Sequence, residues 1–139
     1  MPVMGSEQLP PLPYLGHNGR ELGLMLRGTK PLAYFLDAVD RESDIVIRYR
    51  RMFERHVAAG RFIKREMLYV VADLEHRRLF YALPGHEWRI DAMLALLNEL
   101  IERKAWTDDH ERRFSELLGY ESSQIDHWLR YRRARRAGA

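Results

Sequence analysis

The spacing of apolar positions changes several times along this chain. Residues 1–19 have no regular period. Pro10, Pro11 and Pro13 fix φ and remove backbone donors, so residues 9–14 are predicted as an extended, polyproline-like arm. Residues 20–27 alternate, with Leu22, Leu24 and Leu26 on one side and Glu21, Gly23, Met25 and Arg27 on the other, the pattern of a half-buried strand. Gly28-Thr29-Lys30-Pro31 supplies turn chemistry, and residues 32–36 read as the returning strand of a first hairpin. Ile45, Tyr49, Met52, Phe53 and His56 then recur at helical spacing between a Ser43 or Asp44 cap and Gly60. They predict a helix over 44–59, although the β-branched run Ile45-Val46-Ile47 opposes it locally.

A second hairpin is predicted from residues 62–72 and 78–83, rich in Tyr, Val, Phe and Leu, around a turn at 73–76 and ended by Pro84-Gly85. Beyond it the period is helical. Ile90, Met93, Leu94, Leu97, Leu100 and Ile101 form one stripe along a helix at 87–104. Thr107, followed by Asp108 and Asp109, caps a helix that carries Phe114, Leu117 and Leu118 and stops at Gly119; Ser122 caps a last helix with Ile125, Trp128 and Leu129 inward. The predicted fold is therefore α+β: a small antiparallel sheet from two hairpins, in the order ββαββααα, packed against a three-helix C-terminal part. A proline-containing arm (1–19), one domain (20–129) and an arginine-rich tail (130–139) make up the chain.

Composition narrows the classes. The chain has 139 residues, 46% hydrophobic and 31% charged, which fits one globular domain. No apolar run approaches the roughly 20 residues that cross a bilayer, and the first residues hold no apolar signal core, so no membrane partner and a cytoplasmic address are expected. With no cysteine, disulfides, thiolate metal sites and cysteine nucleophiles are excluded.

Charge is segregated. The net +3 arises from the last stretch, where Arg130, Arg132, Arg133, Arg135 and Arg136 face no acid. A second basic cluster, Arg48, Arg51, Arg55, Arg61, Lys64 and Arg65, is the candidate binding surface; the first three share the outer side of the predicted helix. Residues 87–126 reverse the sign with an excess of acids. This pattern suits docking onto another protein, or onto a second copy through the 48–65 surface and the acidic helices.

Residues 111–133 contain RFSELLGYESSQIDHWLRYRR, which resembles a helix-turn-helix unit. The resemblance implies a corner at Gly119, base edges read by Ser122, Ser123 and Gln124, and phosphates tracked by the arginines of the tail. Asp108, Asp109, Glu111, Glu116, Glu121 and Asp126 oppose it by repelling phosphate.

Catalytic sets are incomplete. The histidines lack HExxH spacing, no GxSxG or phosphate-cradling glycine loop occurs, and neither cofactor nor metal is expected. His56, Glu66, Asp73 and His86 would make an enzyme only by converging in space. Tyr34, Phe35, Phe62, Tyr69, Phe80 and Tyr81 are core rings or, on an exposed face beside Arg61, Lys64 and Arg65, a stacking platform for bases. The first expectation is a small non-catalytic binding and regulatory protein. A DNA- or RNA-binding regulator is the alternative, and a small enzyme with an unrecognised site comes third.

Overall fold

The computed structural model describes residues 12–138. The elements are α1 (Glu21–Leu26), β1 (Leu32–Ala38), a 3-10 turn (Val39–Arg41), α2 (Asp44–Ala58), β2 (Ile63–Val71), β3 (Leu74–Ala82), α3 (Trp88–Arg103), α4 (Asp108–Leu118) and α5 (Ser122–Ala137). The α+β class and the antiparallel sheet beneath C-terminal helices are as the patterning predicts. Among the described residues the sheet has three strands in the order β1-β3-β2, both pairs antiparallel.

Residues 21–26 are a short helix rather than the first strand. Six residues are too few for period two to exclude a helical turn, and here Leu22 and Met25, three apart, are the pair that is buried. The Tyr49 hydroxyl secures this turn by accepting from the Leu22 amide (3.2 Å) and donating to the Glu21 carboxylate (2.9 Å). Without a hairpin partner, β1 instead pairs with β3, Leu32 opposite Ala82 and Ala38 opposite His76.

The β2–β3 hairpin turns at Ala72 and Asp73, both at positive φ (52° and 64°), so β3 begins at Leu74, earlier than the residue types suggest. Such a two-residue turn favours Gly or Asn, and the absence of either is why the pattern places it late.

Pleating sends alternate residues to opposite faces. On one face Leu32, Phe80 and Ala82 pack against Ile90, Met93, Leu96 and Leu97 of α3 and Leu117 of α4. On the other, Ala33, Leu79 and Tyr81 pack against Leu22 and Met25 of α1 and Phe53 of α2, with Phe62 at the margin. Residues 79–82 of β3 are therefore buried on both sides.

Local signals explain the helix ends. Ser43 accepts from the Val46 amide at the start of α2 (3.3 Å), and Thr107 with His110 forms a reciprocal cap on α4. Gly119 ends α4 at φ +95°; a Cβ there would lie 2.6 Å from Pro31 Cδ, so both conformation and space demand glycine. Glu121 rather than Ser122 caps α5, its amide donating to the Gln124 side chain (2.9 Å). Residues 130–137, predicted as a tail, continue α5 as helix. Half of the extended stretch predicted at 9–14, residues 9–11, lies outside the described residues. Among the described residues no helix is long and apolar enough to cross a membrane.

Candidate functional site

Among the described residues no helix packs over the β2–β3 turn end of the sheet on its α3 side. On the α3 side, Leu36, Arg78 and Met67 lie in one row across the three strands, and Ala38, His76 and Tyr69 in the next. Leu36, Met67 and Val71 are exposed, and Tyr69 stacks on His76 (5.3 Å) with the Arg78 guanidinium 4.8 Å from its ring centre. On the other face of β2, Leu68 is 57% and Val70 68% exposed. β2 is an edge strand, so its outward amides and carbonyls have no ladder partner among the described residues. A free edge bearing exposed apolar side chains is the feature that soluble proteins suppress unless another chain covers it.

The α2 side of the same region is charged. Arg77, opposite Asp37, pairs with Glu42 (2.7 Å), and its Nε lies 2.6 Å from Glu66 at an angle outside that of a hydrogen bond. Arg50 also pairs with Glu42. Lys64 reaches Glu54 (2.6 Å), which accepts from the Tyr81 hydroxyl (2.8 Å). A cavity of about 210 Å³ opens here between α2 and the sheet, walled by Arg50, Arg51, Glu54, Lys64 and Glu66. Both carboxylate oxygens of Asp37 are buried without a hydrogen-bond partner, and burial, with the Glu42 charge beside it, raises the Asp37 pKa. Burial and the Glu54 hydrogen bond likewise raise that of Tyr81. Opposite charges are paired within this lattice.

The basic cluster read from the sequence divides. Arg48, Arg51 and Arg55 do share the outer side of α2, exposed and without an ion-pair partner among the described residues. Arg61 is exposed, 3.3 Å from His56 Nδ1. Lys64 and Arg65 are adjacent on β2 and therefore point to opposite faces, Lys64 to Glu54 of α2 and Arg65 to Asp91 of α3 (2.5 Å). Of the aromatic rings, Phe62, Phe80 and Tyr81 are buried and Tyr34 and Phe35 half-buried in the core; Tyr69 alone of that set stands at the open end.

In the α4–α5 unit, Ser122 and Ser123 are exposed while Gln124 is used in the α5 cap. Asp108 gathers Arg132 (2.8 Å), Arg133 (2.6 Å) and Arg136 (3.1 Å), and these guanidiniums, Arg133 first, hold its carboxyl below the usual range. Arg130 and Arg135 have no acidic partner among the described residues. His56, Glu66, Asp73 and His86 do not meet: they lie on α2, on β2, in the hairpin turn and before α3, and Glu66 alone lines a described cavity. No three His, Asp or Glu side chains among the described residues are placed to hold a metal ion.

One site went unread in the sequence. A pocket of about 380 Å³ lies between the α4–α5 hairpin and residues 12–18, which run across it. Tyr14 donates to the Gln124 carbonyl (2.9 Å) and the His17 amide to the Tyr120 hydroxyl (2.9 Å), fastening that segment. Behind it Lys30, 2% exposed, donates to the Leu118 carbonyl (2.7 Å) at the end of α4 and lies 2.8 Å from His17 Nδ1; the His17 ring stacks on Tyr120 (3.7 Å). Burial pushes the Lys30 ammonium down to about 7; burial, then the charges of Lys30 and Arg20, push His17 down to about 4. The available signal was the inward stripe of α4, where Glu111 and Ser115 stand at helical spacing with Phe114 and Leu118. Comparison with protein-family models, with curated proteins and with solved structures finds no match to this chain.

Proposed function

We propose that this chain is a non-catalytic docking protein whose working form is a dimer, joined by antiparallel pairing of β2 with β2 of a second copy. The observation that carries the reading is the run Met67-Leu68-Tyr69-Val70-Val71, free of charge and of proline, on an edge with no partner strand among the described residues. Edge strands are normally blunted by charge, proline or a bulge; here only the first half of β2, with Lys64, Arg65 and Glu66, is so protected.

A two-fold axis normal to the sheet keeps its faces continuous. Met67, Tyr69 and Val71 of both copies then form one apolar strip, and Leu68 and Val70 another on the reverse face. Charge is complementary as well, because antiparallel pairing directs the Arg61 end of one copy toward the Asp73 turn of the other. The dimer carries both α2 helices on one side of a six-stranded sheet. Arg48, Arg51 and Arg55 of the two copies there make a docking face for an acidic protein surface.

Sedimentation equilibrium of the full chain at low and high salt tests this. A dimer in both conditions is expected, because the contact is largely apolar. Val70→Lys should give a monomer whose unfolding curve matches that of the wild type at concentrations low enough to dissociate the dimer. A wild-type monomer at every concentration, or a dimer indifferent to Val70→Lys, overturns the reading.

A further inference from the structure

We propose that the pocket between the α4–α5 hairpin and residues 12–18 binds a methylated ammonium group. None of its lining residues belongs to the sheet, so the proposal stands apart from the β2 edge. Its volume, about 380 Å³, falls within the range of small-molecule sites. Its walls include four rings, Tyr14, Phe114, Tyr120 and Trp128; one face of Tyr120 is taken by His17 and one of Trp128 by Tyr131, and the faces that remain carry the negative lobe of the aromatic quadrupole. Glu111 is the one charged residue that lines it among the described residues.

The state of Glu111 sets the chemistry. Its two oxygens accept from the indole nitrogens of Trp128 (2.8 Å) and Trp106, which fix the carboxylate in place. Neighbouring cations are engaged elsewhere: Arg112 by Asp126 and Arg132 by Asp108, both at 2.8 Å, and Glu111 has no ion-pair partner among the described residues. A neutral apolar ligand would desolvate this carboxylate without compensation, and an anion would be repelled by it. A bare ammonium would forfeit strong hydration among rings that offer few acceptors. A methylated ammonium spreads its charge over methyl groups, needs few acceptors and fits rings beside a fixed carboxylate. Ser115, 7% exposed, is a further polar residue of the same wall.

Past Trp128 and Glu111, a second cavity of about 400 Å³ is lined by Arg132, Arg135 and Arg136. Arg132 and Arg136 are held by Asp108, which leaves Arg135 to meet an anionic group attached to the ammonium, as in a phosphocholine-type zwitterion. The ammonium itself has two sources, a free small molecule or a methylated lysine on a protein.

The test uses the full chain, with tryptophan fluorescence and calorimetry to follow titration by choline, phosphocholine, a trimethyllysine peptide with its unmethylated form, and 3,3-dimethylbutanol, the neutral isostere of choline. Saturable binding of choline is expected, with the isostere weaker by about tenfold or more. Glu111→Gln should weaken choline by about tenfold. Tyr14→Ala, outside both hydrophobic core clusters, should weaken it severalfold and serves if the first variant is unstable. Phosphocholine binding above choline assigns the free zwitterion, and a methylation-dependent peptide above choline assigns the protein-borne source; either supports the site. Equal binding of choline and its isostere, or no saturable binding by any methylated ligand, overturns it.

Discussion

Two ends of one three-stranded sheet use similar residues and meet opposite surroundings. Leu79, Phe80, Tyr81 and Ala82 are covered on both faces, with helices α1 and α2 on one side and α3 and α4 on the other. Four or so residues away on the neighbouring strand, Met67, Leu68, Val70 and Val71 are just as apolar and are exposed. The difference lies in reach. A nine-residue strand extends about 30 Å, whereas a helix lying across a sheet covers about 10 Å of it. Here the helices on the two faces pack over residues 79–82 and their neighbours, and the other end of β2 is exposed. Apolar composition fixes what a strand would gain by burial, and the helices decide where burial happens.

Breaking the covered end gives the largest effect. Phe80→Ala should cost about 3–5 kcal/mol in urea unfolding, because the ring is fully enclosed and its neighbours cannot close the space. A loss below about 1 kcal/mol would place Phe80 in a site as loose as the open end.

The joint beneath β1 should make stability depend on pH. Lys30 has a folded pKa of about 7 against an ordinary 10.5, so between those values the unfolded chain holds a proton that the folded chain has released. Stability accordingly rises with pH across that window, by up to about 1.4 kcal/mol per unit. Lys30→Met should abolish that rise. His17, held near 4 against 6.5, acts in the same sense at lower pH, and stability falls as pH drops from 6.5 through 4. Urea melts of wild type and Lys30→Met between pH 4 and 10 measure both slopes.

Gly119→Ala should follow, at about 1–3 kcal/mol, from left-handed strain together with the approach to Pro31. Thermal denaturation reads it. The smallest effect belongs to the open end: Met67→Ser should change monomer stability by less than about 0.5 kcal/mol, since its side chain is already 41% exposed. Measured at concentrations low enough to dissociate a dimer, a larger loss would mean that this end is covered within the monomer.

The legible parts of the fold were those whose signals are local and redundant. α3 showed through its long stripe, and α4 through Thr107 at one end and Gly119 at the other. Residues 67–71, a continuous apolar run, look from composition alone like a strand buried on both faces, and only the missing cover shows otherwise. The basic cluster was half legible: Arg48, Arg51 and Arg55 obey helix spacing, whereas Lys64 and Arg65 part company once their strand pleats. The pocket was illegible because Trp106 and Trp128 meet the same carboxylate from different segments, and Tyr14 arrives from a third.

The order of residues by itself determined the α+β class, the helices α2, α3 and α4, the second hairpin and the helix ends at Ser43, Thr107 and Gly119, since those follow from periodicity and from side chains bonding to nearby backbone. Tertiary structure decided that residues 21–26 wind into a helix, that β1 joins β3, that three tail arginines fold back onto Asp108, and that one end of the sheet stays bare. Each of these depends on contacts between residues far apart in the chain, where local preference is weak and the packing of whole elements sets the outcome.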